Sequence, residues 1–175
     1  SPGRQAGPQL NDDGIAHLAA GLLFAGHAPV VAIIDRGMLL LLLTHPEQRE
    51  ALRSEPALAA QAVEEIFRFA SPIERMRAAR RGGLTRCASV DVEIDGVTLR
   101  AGDTVMFAVQ EANDDERVFP EPKRFDITRE RIPHLSLSHG AHFCLGAHLA
   151  RVELQYLFVR PLQRSPALPL PVPLE

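Results

Sequence analysis

Cysteine is scarce in this chain of 175 residues, which has only Cys87 and Cys144. Two thiols in a chain of this length cannot build the disulfide framework of a small secreted domain, so a reducing compartment, the cytoplasm, is expected. An excess of one charge is missing too. Lys and Arg number 19 against 22 Asp and Glu, a net charge of −3, which leaves no basic footprint for nucleic acid. The opening SPGRQAGPQLNDD lacks the basic-then-apolar order of a secretion signal. From Gly14 to Ile34 there is no Asp, Glu, Lys or Arg, and the stretch approaches membrane-spanning length. It carries His17, His27, three glycines and Pro29, and Asp35-Arg36 follow it, so a buried core helix is expected rather than a membrane span. With 46% hydrophobic residues, no internal repeat and no sign of a second domain, residues 1–175 suit one soluble unit with a real core.

The pattern along the chain is mainly helical. Asn11-Asp12-Asp13 can cap a long helix that begins near Gly14 and runs past Leu43 to a stop at Thr44-His45-Pro46. A kink or bulge is expected at 25–29, because Gly26 is a weak helix former and Pro29 lacks the N–H of a helical turn. A short helix should cover Pro46–Arg53, and a clearer one Pro56–Phe69, with Leu58, Ala62, Ile66 and Phe69 on one face and Pro72 as its stop. The period then changes to two. VDVEI, Asp95-Gly96 and VTLR predict a hairpin with a tight primed turn, and TVMFAV at 104–109 a further strand. Residues 111–143 show little periodicity and read as a long ordered loop serving a site. A last helix over about Leu145–Arg160 precedes a proline-rich tail at 161–175, expected to be extended.

Cys144 sits in LSHGAHFCLGAHLAR, in a loop of Gly, His and Ser directly ahead of that last helix. A thiolate at a helix N-terminus is stabilised by the macrodipole and by backbone N–H groups, which makes it a ligand for a soft or redox metal. Two plainer readings stand beside this one. Cys144 could be a structural core cysteine, or it could join His139, His142 and His148 at a zinc ion, although the usual paired-cysteine spacing is lacking. Glu65 and Arg68, three apart on a helix, could be one of many weak surface pairs.

HGAHFCLGAHLAR, AGH in the long helix, EEIFR and FPEPKRFDITR occur together in an order and spacing that span nearly the whole chain. On these motifs the chain resembles the C-terminal part of a bacterial cytochrome P450, a haem-thiolate monooxygenase. The resemblance implies a mainly α fold with a small antiparallel β-sheet, holding haem b between the long helix and the Cys144 loop. Cys144 would be the axial iron ligand, whose thiolate donates electron density toward oxygen. Gly140 and Gly146 would permit close backbone approach and N–H contacts to the sulfur. Arg86 and His142 match the family's propionate partners. Glu65 and Arg68 match its ExxR pair, and Arg124 the third member that locks the meandering loop. Ala25, Gly26, Ala28 and Pro29 would line the oxygen side. The implied activity is hydroxylation or epoxidation of a small organic molecule in secondary-metabolite biosynthesis, with electrons from a ferredoxin or flavodoxin-type donor and its reductase. The full-length protein would be a monomer.

The sequence departs from the family at several points. The acid and alcohol that relay protons in the long helix are replaced by Ala28 and Pro29, neither of which can carry a proton. Peroxygenase, oxidative-coupling or carrier-bound chemistry is therefore the alternative activity. Leu137 replaces an aromatic residue and Ser138 a glycine. ERMRAARRGGLTR between Pro72 and Arg86 is longer and more basic than the family's connection, as a solvated loop or a surface for an acidic redox partner. The family's N-terminal half and final hairpin have no counterpart here, which would leave the long helix's apolar faces exposed. A fragment of a longer protein, a split gene product or a non-catalytic remnant are the expectations that follow.

Overall fold

The computed structural model describes residues 11–69 and 84–164. The N-terminal SPGRQAGPQL, most of the basic run after Pro72, Pro72 itself and residues 165–175 of the proline-rich tail lie outside the described residues. Helix α1 spans Asp12–Leu39. It starts where expected, with Asn11 Oδ1 accepting from the Gly14 N–H at 2.8 Å and Asp12 and Asp13 in the first turn, where their charge complements the macrodipole. The bulge expected as one form of interruption at 25–29 does not occur, and α1 continues as α-helix through Pro29. Proline costs the helix one N–H, so the Ala25 carbonyl four residues back loses its usual donor while the flanking turns persist. The irregularity comes later, as a π-helical turn at Leu40–Thr44. The whole element Asp12–Thr44 is long and apolar enough to cross a membrane by length and composition.

Helix α2 covers Pro46–Ser54 and α3 covers Ala59–Phe69 after a 3-10 turn at Pro56–Leu58. Strand β1 (Leu84–Cys87) pairs antiparallel with β4 (Thr104–Phe107), while β2 (Val92–Ile94) pairs with β3 (Val97–Leu99). The β2–β3 turn is the predicted one, with φ of 47° at Asp95 and 77° at Gly96. Two details differ from expectation. Arg86 stands ahead of the hairpin but within a strand, β1, that the pattern did not predict, and the strand expected over 104–109 stops at Phe107 because helix α4 (Val109–Asn113) begins there, burying Val109, Gln110 and Asn113. The loop to Cys144 is otherwise irregular apart from a 3-10 turn at Gly140–His142. Helix α5 runs Ala147–Arg164, starting two residues later than expected and passing through Pro161, because Leu162 still has a core place to fill.

The core lies where α1, α2, α3 and α5 meet, around Ile33, Leu41, Leu52, Ile66, Leu154 and Phe158, with Phe125 and Ile127 of the loop closing one side. Burial of α1 is confined to its C-terminal part. Ile15, Leu18, Leu22, Leu23 and Phe24 are exposed, so the expected buried core helix is buried only from Ile33 onward. Nothing among the described residues packs over the earlier turns.

Candidate functional site

The loop before Cys144 is held by buried polar groups on α3. Glu65 and Arg68 are both fully buried, and such a pair persists only when its remaining donors and acceptors are filled. Arg68 donates from Nε and Nη2 to the two Glu65 oxygens at 2.8 and 2.7 Å. Its other N–H groups reach the carbonyls of Asn113 and Pro122, both at 2.9 Å, and of Arg124 at 3.3 Å. All five guanidinium donors are used, and the Phe119 ring lies 5.2 Å from the Arg68 carbon.

Arg124 enters this network through its backbone carbonyl alone. Its side chain is 60% exposed and pairs with Glu121 and Asp126. The side chain that reaches Glu65 is Arg129, with Nε 3.2 Å from Oε1 and only 12% exposure. Both arginines stand in FPEPKRFDITR, and only the course of the chain through Phe125 and Ile127, both buried, decides which one turns inward. Asn113 extends the network toward the cysteine. Its Oδ1 accepts from the Leu135 N–H at 2.8 Å, its Nδ2 donates to Ser136 Oγ at 2.9 Å, and Ser136 Oγ donates to the Phe67 carbonyl.

From Leu137 the chain turns through two left-handed residues, Ser138 with φ 65° and Gly140 with φ 72°. The Cys144 N–H then donates to the Leu137 carbonyl at 2.9 Å, and the Cys144 carbonyl accepts from Ala147, the first residue of α5, at 3.2 Å. Cys144 is a free, exposed thiol. It opens into a cavity of about 400 Å³ whose walls include Ala25, Gly26, Pro29 and Val30 of α1, Phe67 of α3, Leu137 and Ser138 of the loop, and Gly146, Leu149 and Leu154 around α5. Ala28 is not among the lining residues, and Gly140 shapes the loop without lining the cavity. A second cavity of about 480 Å³ adjoins it, and Arg86, Ser138 and His142 line both. Among the described residues no group of three or more His, Cys, Asp or Glu side chains converges as a metal cluster would, so His139, His142 and His148 do not gather with Cys144 around a zinc ion.

The donor set suits a flat apolar group with an anionic edge. One thiol faces α1 across apolar walls, and the two cationic candidates, Arg86 and His142, stand together where the cavities join. Gly26 and Gly146 line the cavity, and each leaves open the space that a Cβ would occupy. The cytochrome P450 family model matches residues 3–165.

The chain belongs to the cytochrome P450 family. It is 41% identical over 168 residues to cytochrome P450 105C1 of a Streptomyces species, covering 96% of this chain and 42% of that protein. It is 41% identical over 169 residues to a vitamin D(3) 25-hydroxylase of Pseudonocardia autotrophica, covering 97% of this chain and 40% of the other. Among solved structures, P450BioI in complex with an acyl carrier protein ligated to hexadec-9Z-enoic acid superposes with a TM-score of 0.84 at 41% identity, covering 95% of this chain and 41% of that one. The chain thus spans about two fifths of the length of these cytochromes P450. The partial, mainly helical P450 fold with small antiparallel sheets is the one expected from sequence.

Three polar residues close to the cysteine segment escaped the sequence reading: Glu64, His134 and Arg151. Glu64 lies inside the quoted EEIFR and Arg151 ends the quoted cysteine motif, so both were visible as letters. Their mutual contact, across 87 residues of chain, was not.

Proposed function

We propose that this chain forms the cysteine-ligand part of a haem-thiolate monooxygenase that hydroxylates or epoxidises a small organic molecule. The carrying observation is the cavity between α1 and Cys144, apolar along its walls and bordered by Arg86 and His142. Cys144 would hold haem b there through its iron, and the bound haem would supply the activation of dioxygen. Arg86 and His142 would neutralise its propionates. The Cys144 N–H, engaged by Leu137, fixes the direction of the cysteine backbone. Ala25, Gly26 and Pro29 face the cavity from α1 and would border the oxygen side. Electrons would come from a ferredoxin or flavodoxin-type donor.

The test is the optical spectrum of the reduced protein under carbon monoxide, beside Cys144→Ser. A strongly red-shifted Soret band that disappears in the variant supports thiolate ligation. Failure of the wild-type protein to take up haem, or a band typical of a neutral ligand, refutes it.

Pro29 lining the cavity favours a second reading, in which protons reach the site by an unusual route. Neither Ala28 nor Pro29 offers a proton-carrying group, so water or the substrate would take that part, as in peroxygenase, oxidative-coupling or carrier-bound chemistry. The acyl carrier protein seated on P450BioI supports the carrier-bound form. Ala28→Glu with Pro29→Thr should raise the fraction of consumed oxygen that appears as product. Unchanged coupling argues against limitation by proton supply.

A further inference from the structure

Glu64 stands next to Glu65 on α3 but is only half-buried, and it serves a different set of partners. Its Oε1 accepts from Arg151 Nε at 2.6 Å, and its Oε2 accepts from Arg151 Nη2 at 2.9 Å and from His134 Nε2 at 3.1 Å. His134 precedes the cysteine loop and Arg151 follows it on α5. One carboxylate on α3 therefore grips both ends of the segment 134–151.

Each arm is fixed by more than its contact with Glu64. The Ser136 N–H donates to His134 Nδ1 at 3.2 Å, which leaves Nε2 as the donor, and the His134 ring packs 5.6 Å from Phe67. The His134 side chain is 3% exposed. Arg151 meets Glu64 through two parallel bonds, the fork geometry that adds direction as well as strength. Local pairs such as Arg53 with Glu50 join neighbours on one helix turn, whereas this pair joins two helices. Partial burial alone would raise the Glu64 pKa, but the bonds from Arg151 and His134 outweigh it and hold the carboxyl at about 2.

Asn113 and the Phe67 carbonyl also hold Leu135 and Ser136, and Ala147 is buried at the start of α5, but the stretch between them has little else to hold it. His139 to Gly146 are exposed, and its turns depend on a few backbone bonds and two left-handed residues. Pinning both ends to a rigid element reduces the conformations open to the loop. We propose that Glu64 is a positioning residue for Cys144: by fixing His134 and Arg151 to α3 it sets where the thiolate stands relative to α1. The consequence at the iron rests on the haem-thiolate reading, while the clamp concerns only residues of this chain.

The test compares Glu64→Ala, Glu64→Gln and Arg151→Gln with Leu52→Ala, a core change in α2, in the full-length polypeptide. Amide hydrogen exchange in the haem-free protein should quicken by about tenfold or more across 134–151 in Glu64→Ala, with α2 unchanged. Arg151→Gln should loosen 144–151 and leave 134–137 protected, and it carries the test if Glu64→Ala does not fold. In the haem-loaded protein, part of the red-shifted carbon monoxide band should move to the neutral-ligand position in Glu64→Ala. It should move less in Glu64→Gln and not at all in Leu52→Ala. Unchanged exchange across 134–151, equal loosening by Leu52→Ala, or an intact band in Glu64→Ala overturns the proposal. A wild-type protein that takes up no haem while Glu64→Ala still loosens the segment removes the haem reading and leaves the clamp standing.

Discussion

Arg129 reaches Oε1 of Glu65 with its Nε at 3.2 Å, and its terminal nitrogens donate to the carbonyls of Pro120, Glu121 and Arg124. The meander is thereby tied to α3 by one side chain that contacts four of its neighbours. Removing one partner of a buried ionic network leaves the others desolvated and unpaired, so Arg129→Ala should cost about 3 kcal/mol or more in unfolding free energy. Arg124→Ala deletes an exposed side chain and leaves the carbonyl that Arg68 and Arg129 use, so its cost should stay within about 1 kcal/mol. Denaturant titration of both variants decides. The reverse order of losses would restore Arg124 as the locking side chain.

Ser138 occupies a left-handed conformation with φ 65°, which costs a side-chain-bearing residue roughly 1 kcal/mol that glycine does not incur. Glycine also gives the unfolded chain more freedom, which offsets part of the gain. Ser138→Gly should therefore raise the melting temperature slightly, by a net gain of several tenths of a kcal/mol. A lower melting temperature would mean that the hydroxyl, which lines both cavities, has a compensating partner.

Much of the site was legible because its signals are local. Asp95-Gly96 specified its turn, EEIFR placed Glu65 and Arg68 on one helix, and the cysteine motif placed Cys144 ahead of α5. What was illegible depends on distant packing. β1 is only Leu84–Cys87, too short to show a period, and exists because Thr104–Phe107 lies opposite it. The choice between Arg124 and Arg129 depends on how the meander lies against α3. Pro29 signalled a break, but one missing N–H does not end a long helix whose neighbouring bonds persist. The exposed turns of α1 match the expectation, drawn from the resemblance, that the long helix's apolar faces would lack cover.

Gly37 of α1 packs directly against the Phe158 ring of α5. A Cβ built there would overlap the Phe158 ring and lie 3.1 Å from Ile66 Cδ1. Alanine is the better helix former by about 1 kcal/mol, so an open site would gain from Gly37→Ala. Overpacking a buried site costs typically about 1–3 kcal/mol, and here the obstacle is a fully buried aromatic ring. The clash should win, and Gly37→Ala should destabilise. Phe158→Leu in the same chain should recover part of the loss, a coupling that a double-mutant cycle measures. Additive losses would mean that the helices separate rather than collide.

The acid limb of the stability profile should carry the signature of Glu64. Its carboxyl titrates at about 2 in the folded protein against an ordinary value of 4.5. A group whose folded pKa is depressed stabilises the fold above its unfolded pKa, and that contribution fades as pH falls through the folded value. The advantage of wild type over Glu64→Gln should therefore be full above about pH 5, shrink steadily below that, and vanish near pH 2. Glu50 and Asp115 are also held at about 2, by the side-chain hydrogen bonds from Arg53 and Arg117, but Glu50 is exposed, Asp115 is half-buried against an exposed Arg117, and both pairs are local. Their neutral variants, Glu50→Gln and Asp115→Asn, should follow the wild-type profile closely, and added salt should erase what difference there is. Unfolding curves collected between pH 2 and pH 6 separate the cases. A gap between wild type and Glu64→Gln that stays constant down to pH 2 would show that the carboxylate's charge plays no part in joining α3 to the cysteine segment.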